Sequence, residues 1–225
     1  MDFSDKLKKI GQPIVSEIMS HPFVKGIGDG HVPSDSLAFY VGQDYKYLQT
    51  YLKVYAAAIQ KTDDADQIKL FGGQLNMLAQ GESDAHKSFC EIAGIEYESL
   101  QHARVAPMTY LYNEHMYNSV RTGDLIDVVA SLLPCPWTYA VIGNDWIAQG
   151  KATDDNPFKF WLDFYATDDS DDQVLSNQFF DIIDKEAEKY SDQRLKVVED
   201  RFLKSCELEW HFWDQAYYKQ DWKFI

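Results

Sequence analysis

SDSLAFYVGQDYKYLQTYLKVYAAAIQK, residues 34–61, decides the fold class. Leu37, Tyr40, Tyr47, Leu48, Tyr51 and Tyr55 return every three or four positions, so one face of a helix carries them all. Ser34 offers an N-cap oxygen, and the pattern predicts a helix from there to about Lys61. Asp44 falls on the same inward face, where a carboxylate is costly unless something pairs with it.

The same period recurs through most of the chain and strict alternation is scarce, which predicts an all-α protein, a single-domain helical bundle over residues 1–225. The first helix covers about Phe3 to Ser20, with Pro13 as a kink. His21-Pro22 and the glycines at 26, 28 and 30 mark a turn. A third long segment runs from about Asp63 to Gly94, which is suited to a helix C-terminus. Pro107 to Arg121 forms the next helix, stopped by Gly123, and Asp124 caps a fifth. Asn156-Pro157 opens a short helix through Tyr165. Two more lie near 169–190 and 192–219.

Leu133-Pro134-Cys135-Pro136-Trp137-Thr138-Tyr139 interrupts this pattern with a thiol flanked by prolines. Neither proline donates a backbone hydrogen bond, so a kink or unwinding is expected there, with freed carbonyls that need partners. A fresh helical turn beyond the break would favour thiolate over thiol. The alternative is a structural bend around a buried, inert cysteine.

Composition narrows the function classes. Lys and Arg total 21 against 36 Asp and Glu, leaving a net charge of −15 and no basic cluster. That disfavours nucleic-acid and anionic-membrane partners, which need concentrated positive charge. Cys90, Cys135 and Cys206 are far apart and odd in number, which points to a reducing cytoplasm rather than a disulfide framework. No signal peptide is evident, and no apolar run of membrane-spanning length is expected. The many Trp, Tyr and Phe residues suit either an aromatic-lined pocket or a bulky core.

Four groupings could carry chemistry. Asp44, Tyr47 and Tyr51 share a helix face. Cys135 and Tyr139 are one turn apart, so a phenol would sit above the thiol. In Glu209-Trp210-His211-Phe212-Trp213 a carboxylate lies among large aromatic rings, where desolvation would raise its pKa and suit it to general-acid work; a surface position for Glu209 is the alternative. Glu82 and His86, at i and i+4, resemble part of a metal site, but the paired Glu-x-x-His motifs of a carboxylate-bridged di-iron bundle are missing, so no metal is expected and His86 is read as a hydrogen-bonded core histidine. Gly26-Ile27-Gly28-Asp29-Gly30 lacks the preceding strand of a nucleotide loop.

The order of four segments resembles the thiaminase II family, the TenA-like aminopyrimidine aminohydrolases, in its cysteine-containing class. They are Tyr40 to Leu48, Leu133 to Tyr139, Trp161 to Tyr165, and Glu209 to Tyr217. The resemblance implies a haem-oxygenase-like fold without haem, a cytoplasmic homotetramer with no cofactor, and a buried pocket for an aminopyrimidine. It also implies hydrolysis of aminomethyl-pyrimidine to hydroxymethyl-pyrimidine in thiamin salvage, with cleavage of thiamin itself. Carried over by position, Cys135 would be the nucleophile and Glu209 the acid that protonates a ring nitrogen. Asp44 would hold the amino group and ring nitrogen, Tyr47 and Phe212 would sandwich the ring, and Tyr112, Tyr139 and Tyr165 would supply hydroxyls. Leu208, Gln215 and the Asp168 to Asp172 run depart from the family pattern and bear on pocket lining and substrate preference. A thiamin- or pyrimidine-binding carrier and a di-iron oxygenase are alternatives on the same scaffold; a regulatory role fits poorly with the acidic charge.

Overall fold

The computed structural model describes residues 2–79, 83–168, 171 and 174–225. Among them every regular element is a helix: α1 Phe3–Ser20, α2 Pro22–Asp29, α3 Ser34–Ile59, α4 Ala65–Ala79, α5 Ser83–Ala93, α6 Tyr97–Leu100, α7 Pro107–Thr122, α8 Leu125–Leu132, α9 Pro134–Ala148, α10 Lys159–Tyr165, α11 Leu175–Ala187 and α12 Asp192–Tyr218. α3 and α12 form the centre. α3 packs on α4, α5, α7 and α12, while α12 also meets α1, α8 and α9. The predicted inward face of α3 is inward: Leu37, Tyr40, Asp44, Tyr47, Tyr51 and Tyr55 are buried and Leu48 partly so.

The glycine-rich segment after His21 is a helix, not a turn. His21 caps it, its Nδ1 accepting from the Phe23 backbone N–H at 3.2 Å, and Pro22 occupies the first turn, where its missing donor costs nothing. The glycines serve packing. A Cβ on Gly26 would lie 2.5 Å from the His31 carbonyl oxygen, and one on Gly28 2.7 Å from the Trp146 ring. Only Gly30, with φ +78°, ends the helix in the left-handed region. The single helix expected over 63–94 is two, α4 and α5. Short α6 escapes the periodicity because four residues cannot display a period.

The Pro-Cys-Pro segment does not unwind. Leu133 has α-helical dihedrals, its N–H donates to the Val129 carbonyl, and Leu125–Ala148 runs as one rod of 24 residues. The carbonyl that Pro136 deprives of a donor belongs to Leu132, and the Tyr51 hydroxyl donates to it at 2.7 Å. One residue earlier, the Ser205 hydroxyl donates to the Ser131 carbonyl at 3.2 Å. The rod is long and apolar enough to cross a bilayer, contrary to the expectation that no such run exists. Yet 83% of its most apolar stretch is buried among the other helices, so its apolarity is that of a core.

The start of α8 is fixed from the far end of α12. Asp124 and Asp127 form a capping box, and the fully buried Asp127 carboxylate is paired by Arg194 and, at 2.9 Å, by Arg201 Nε. Among the departures from the family pattern, Gln215 is buried in α12. Its side chain accepts from the Met108 N–H at 2.6 Å and donates to Thr109 Oγ1 at 2.9 Å, so it caps the start of α7. Leu208 is buried as well, and neither side chain reaches the cavity wall. Much of the acidic run from Asp168 to Asp172 lies outside the described residues.

Candidate active site

A cavity of about 440 Å³ opens between α3, α4, α9, α10 and the start of α11. Asp44, Cys135, Tyr139 and Tyr165 stand on its wall, joined by Tyr51 and Phe164. Glu209, Tyr47, Tyr112 and Phe212 are not on that open wall; all four are buried in the layer behind it. All eight residues singled out in the sequence therefore gather at one place, four on the surface of the cavity and four beneath.

α3 contributes successive turns. Asp44 Oδ2 lies 2.6 Å from His86 Nε2 of α5. One turn on, the Tyr47 ring is 5.0 Å from Tyr112 and 5.9 Å from Phe212, centroid to centroid. Two aromatic faces enclosing a flat ring must stand about 7 Å apart, two van der Waals spacings. Tyr47 and Phe212, inclined at 54°, touch each other here and would have to part by roughly 1 Å to make the expected sandwich. The buried Tyr47 hydroxyl sits beside Tyr112 without the geometry of a hydrogen bond and has no other partner. A buried hydroxyl left so is an open binding position.

Glu209 is 2% exposed and accepts from the Tyr112 hydroxyl at 2.7 Å. Burial pushes its pKa up to about 8; the Tyr112 hydrogen bond opposes this, and the nearby charge of Asp44 adds to it. The carboxyl is thus protonated at neutral pH. Burial also holds Tyr47, Tyr51, Tyr112 and Tyr139 well above 10, so these phenols stay neutral. Tyr139 and Tyr40 share a 2.6 Å hydrogen bond, and Tyr139 meets the Tyr165 ring edge-on at 4.9 Å. Cys135 is a reduced, half-buried thiol, close enough to Tyr47, Tyr51 and Tyr112 for its charge to raise their pKa values. A thiol, a neutral carboxyl and an anchored carboxylate therefore gather around one aromatic chamber, groups that together suit nucleophilic and acid chemistry.

Sequence reasoning gave no place in the site to two residues that the structure brings there. Tyr51 shared the face of Asp44 and Tyr47 but received no role, although it holds the carbonyl beside the thiol. His86 was read as a hydrogen-bonded core histidine spaced one turn from Glu82, which lies outside the described residues; its Nε2 meets Asp44, 42 positions away. The burial of a carboxylate at Asp44 was the available signal that a partner existed. Among the described residues no three His, Cys, Asp or Glu side chains converge as a metal site.

Comparison with known proteins agrees with the geometry. An aminopyrimidine aminohydrolase of Halalkalibacterium halodurans is 32% identical over 224 residues, covering 100% of this chain and 99% of that protein. One from Staphylococcus aureus is 30% identical over 226 residues, at 100% and 97% coverage. A TenA homologue from P. horikoshii superposes with a TM-score of 0.83 at 21% identity, covering 97% of this chain and 99% of that one. A Shewanella denitrificans domain described as having a heme oxygenase-like fold gives 0.68 at 15% identity, with coverage of 96% and 92%. The helices described above therefore form a haem-oxygenase-like fold. The profile of the TENA/THI-4/PQQC family matches residues 5–220, all but the two ends, and the chain belongs to that family.

Proposed function

We propose that the chain is an aminopyrimidine aminohydrolase that converts 4-amino-5-aminomethyl-2-methylpyrimidine and water to the hydroxymethyl-pyrimidine and ammonia, and that it also cleaves thiamin. The observation that carries this is Glu209: a carboxyl held neutral up to about pH 8, hydrogen-bonded to Tyr112, behind a chamber that also presents Cys135 and Asp44. An electron-rich aminopyrimidine accepts a thiolate only if a proton offsets the charge pushed into the ring. Cys135 forms the carbon–sulfur bond while Glu209 gives its proton to a ring nitrogen. The electron pair then returns to expel the aminomethyl nitrogen, which leaves as ammonia with a proton from solvent. Water adds to the exposed methylene, the thiolate departs, and the ring proton goes back to Glu209. Asp44 accepts from the ring amino group and fixes which carbon meets the sulfur. Tyr47, Tyr139 and Tyr165 wall the ring.

The two relatives' names support the choice of substrate. On the same reading the chain is one domain over 1–225 and works as a homotetramer in the cytoplasm without a cofactor. The direct experiment incubates the purified protein with aminomethyl-pyrimidine and follows hydroxymethyl-pyrimidine and ammonia, with Cys135→Ser, Glu209→Gln and a chelator-treated sample in parallel. Turnover that survives chelation and collapses in both variants is expected. A wild type that binds the product but turns nothing over would leave a carrier instead.

A further inference from the structure

Asp44 cannot act as a ring anchor unless its carboxylate is aimed. It is 5% exposed, and among the described residues the one hydrogen bond it makes is that of Oδ2 with His86 Nε2, at 2.6 Å. His86 is 2% exposed and comes from α5 rather than α3. On its other side, Nδ1 stands 3.5 Å from the Tyr97 hydroxyl of α6, and the two rings lie 5.7 Å apart. Just past α6, the Gln101 carbonyl is held by Lys46 Nζ of α3 at 2.8 Å. A carboxylate oxygen only accepts, so in the 2.6 Å contact the His86 Nε2–H is the donor and Asp44 Oδ2 the acceptor. Oδ2 is thereby occupied, and Oδ1 is the oxygen left to face the cavity.

We propose that His86 is the positioning residue of the site, holding Asp44 so that Oδ1 alone meets the amino group of the ring. The proposal rests on the aminohydrolase reading for its ligand, but the aiming of Asp44 is a property of the empty protein. A buried carboxylate without this donor would turn toward other partners or take up a proton, and either change spoils the register between ring and sulfur.

The test uses the whole protein with His86→Leu, which removes the donor, and His86→Gln, whose amide nitrogen can reach the place of Nε2. His86→Leu is expected to raise KM for aminomethyl-pyrimidine and the dissociation constant of hydroxymethyl-pyrimidine together, lowering kcat/KM roughly 10- to 100-fold. His86→Gln should recover to within about threefold of wild type. Crystal structures of the unliganded variants should show Asp44 turned in the leucine variant and unmoved in the glutamine variant. A histidine that merely fills space would give the opposite pattern: kcat falling through loss of active protein at constant KM, no rescue by Gln, and Asp44 in place in both structures. That result overturns the proposal. If the wild type itself fails to turn over, the aminohydrolase reading falls, and the orientation of Asp44 in the two structures still decides the role of His86.

Discussion

Glu209 behaves at neutral pH as a neutral acid, and the consequence can be read in both activity and stability. Its ordinary value of 4.5 is raised to about 8 in the folded chain, chiefly by burial. For a carboxyl whose folded value is raised, the folding contribution is intact below the unfolded value and is lost as pH climbs toward the folded one, because the unfolded chain ionises first. Between pH 4.5 and 8 the wild type therefore loses stability that Glu209→Gln keeps, roughly 3 kcal/mol at pH 7. Urea unfolding of both proteins at pH 4.5 and pH 7 measures this: the variant gains on wild type only at the higher pH, and equal curves at pH 7 would refute the buried neutral carboxyl. In wild-type kinetics the same group predicts a kcat/KM that falls as pH rises through about 8, since the acid is then spent.

At the scale of elements, α8 and α9 show how a helix tolerates Pro-Cys-Pro. Tyr51 of α3 replaces the donor that Pro136 lacks. Tyr51→Phe should cost about 1–3 kcal/mol, the usual penalty of stranding a buried carbonyl. In a Pro136→Ala background the new N–H can serve Leu132, so the same substitution should cost at least about 1 kcal/mol less. Denaturant titration of the four proteins gives the coupling energy, and additive effects would mean that Tyr51 is not compensating for the proline. This exchange was only half legible beforehand. The sequence declares the missing donors, but the rescuing hydroxyl is 81 positions away. The helices α1, α3, α7 and α12 were readable because their faces repeat over many turns, whereas α2 was hidden by glycines whose reason lies in His31 and Trp146. The site divides the same way. Asp44, Cys135 and Glu209 could be named from residue type and resemblance, but the support of Asp44 by His86 belongs to tertiary structure.

Across the whole molecule, α12 works at both ends. Its second half carries Glu209 and Phe212 to the layer behind the chamber, while Arg194 and Arg201 in its first half clamp Asp127 at the start of α8, the helix that leads to the thiol. Removing one member of a buried ion pair leaves uncompensated charge. Asp127→Ala should therefore lower stability by about 3–5 kcal/mol. The surviving folded molecules should keep wild-type KM, since no contact with the cavity is lost, and thermal unfolding together with kinetics at low temperature separates the two. A raised KM would show that the clamp reaches the chamber. The chamber's size has its own consequence. A cavity of about 440 Å³ is far larger than the space one water needs, so it has room for several solvent molecules at once. One aminopyrimidine displaces only part of that store. On the proposed reaction, the water that completes the second half would therefore have room beside the bound ring and need not wait for the product to leave.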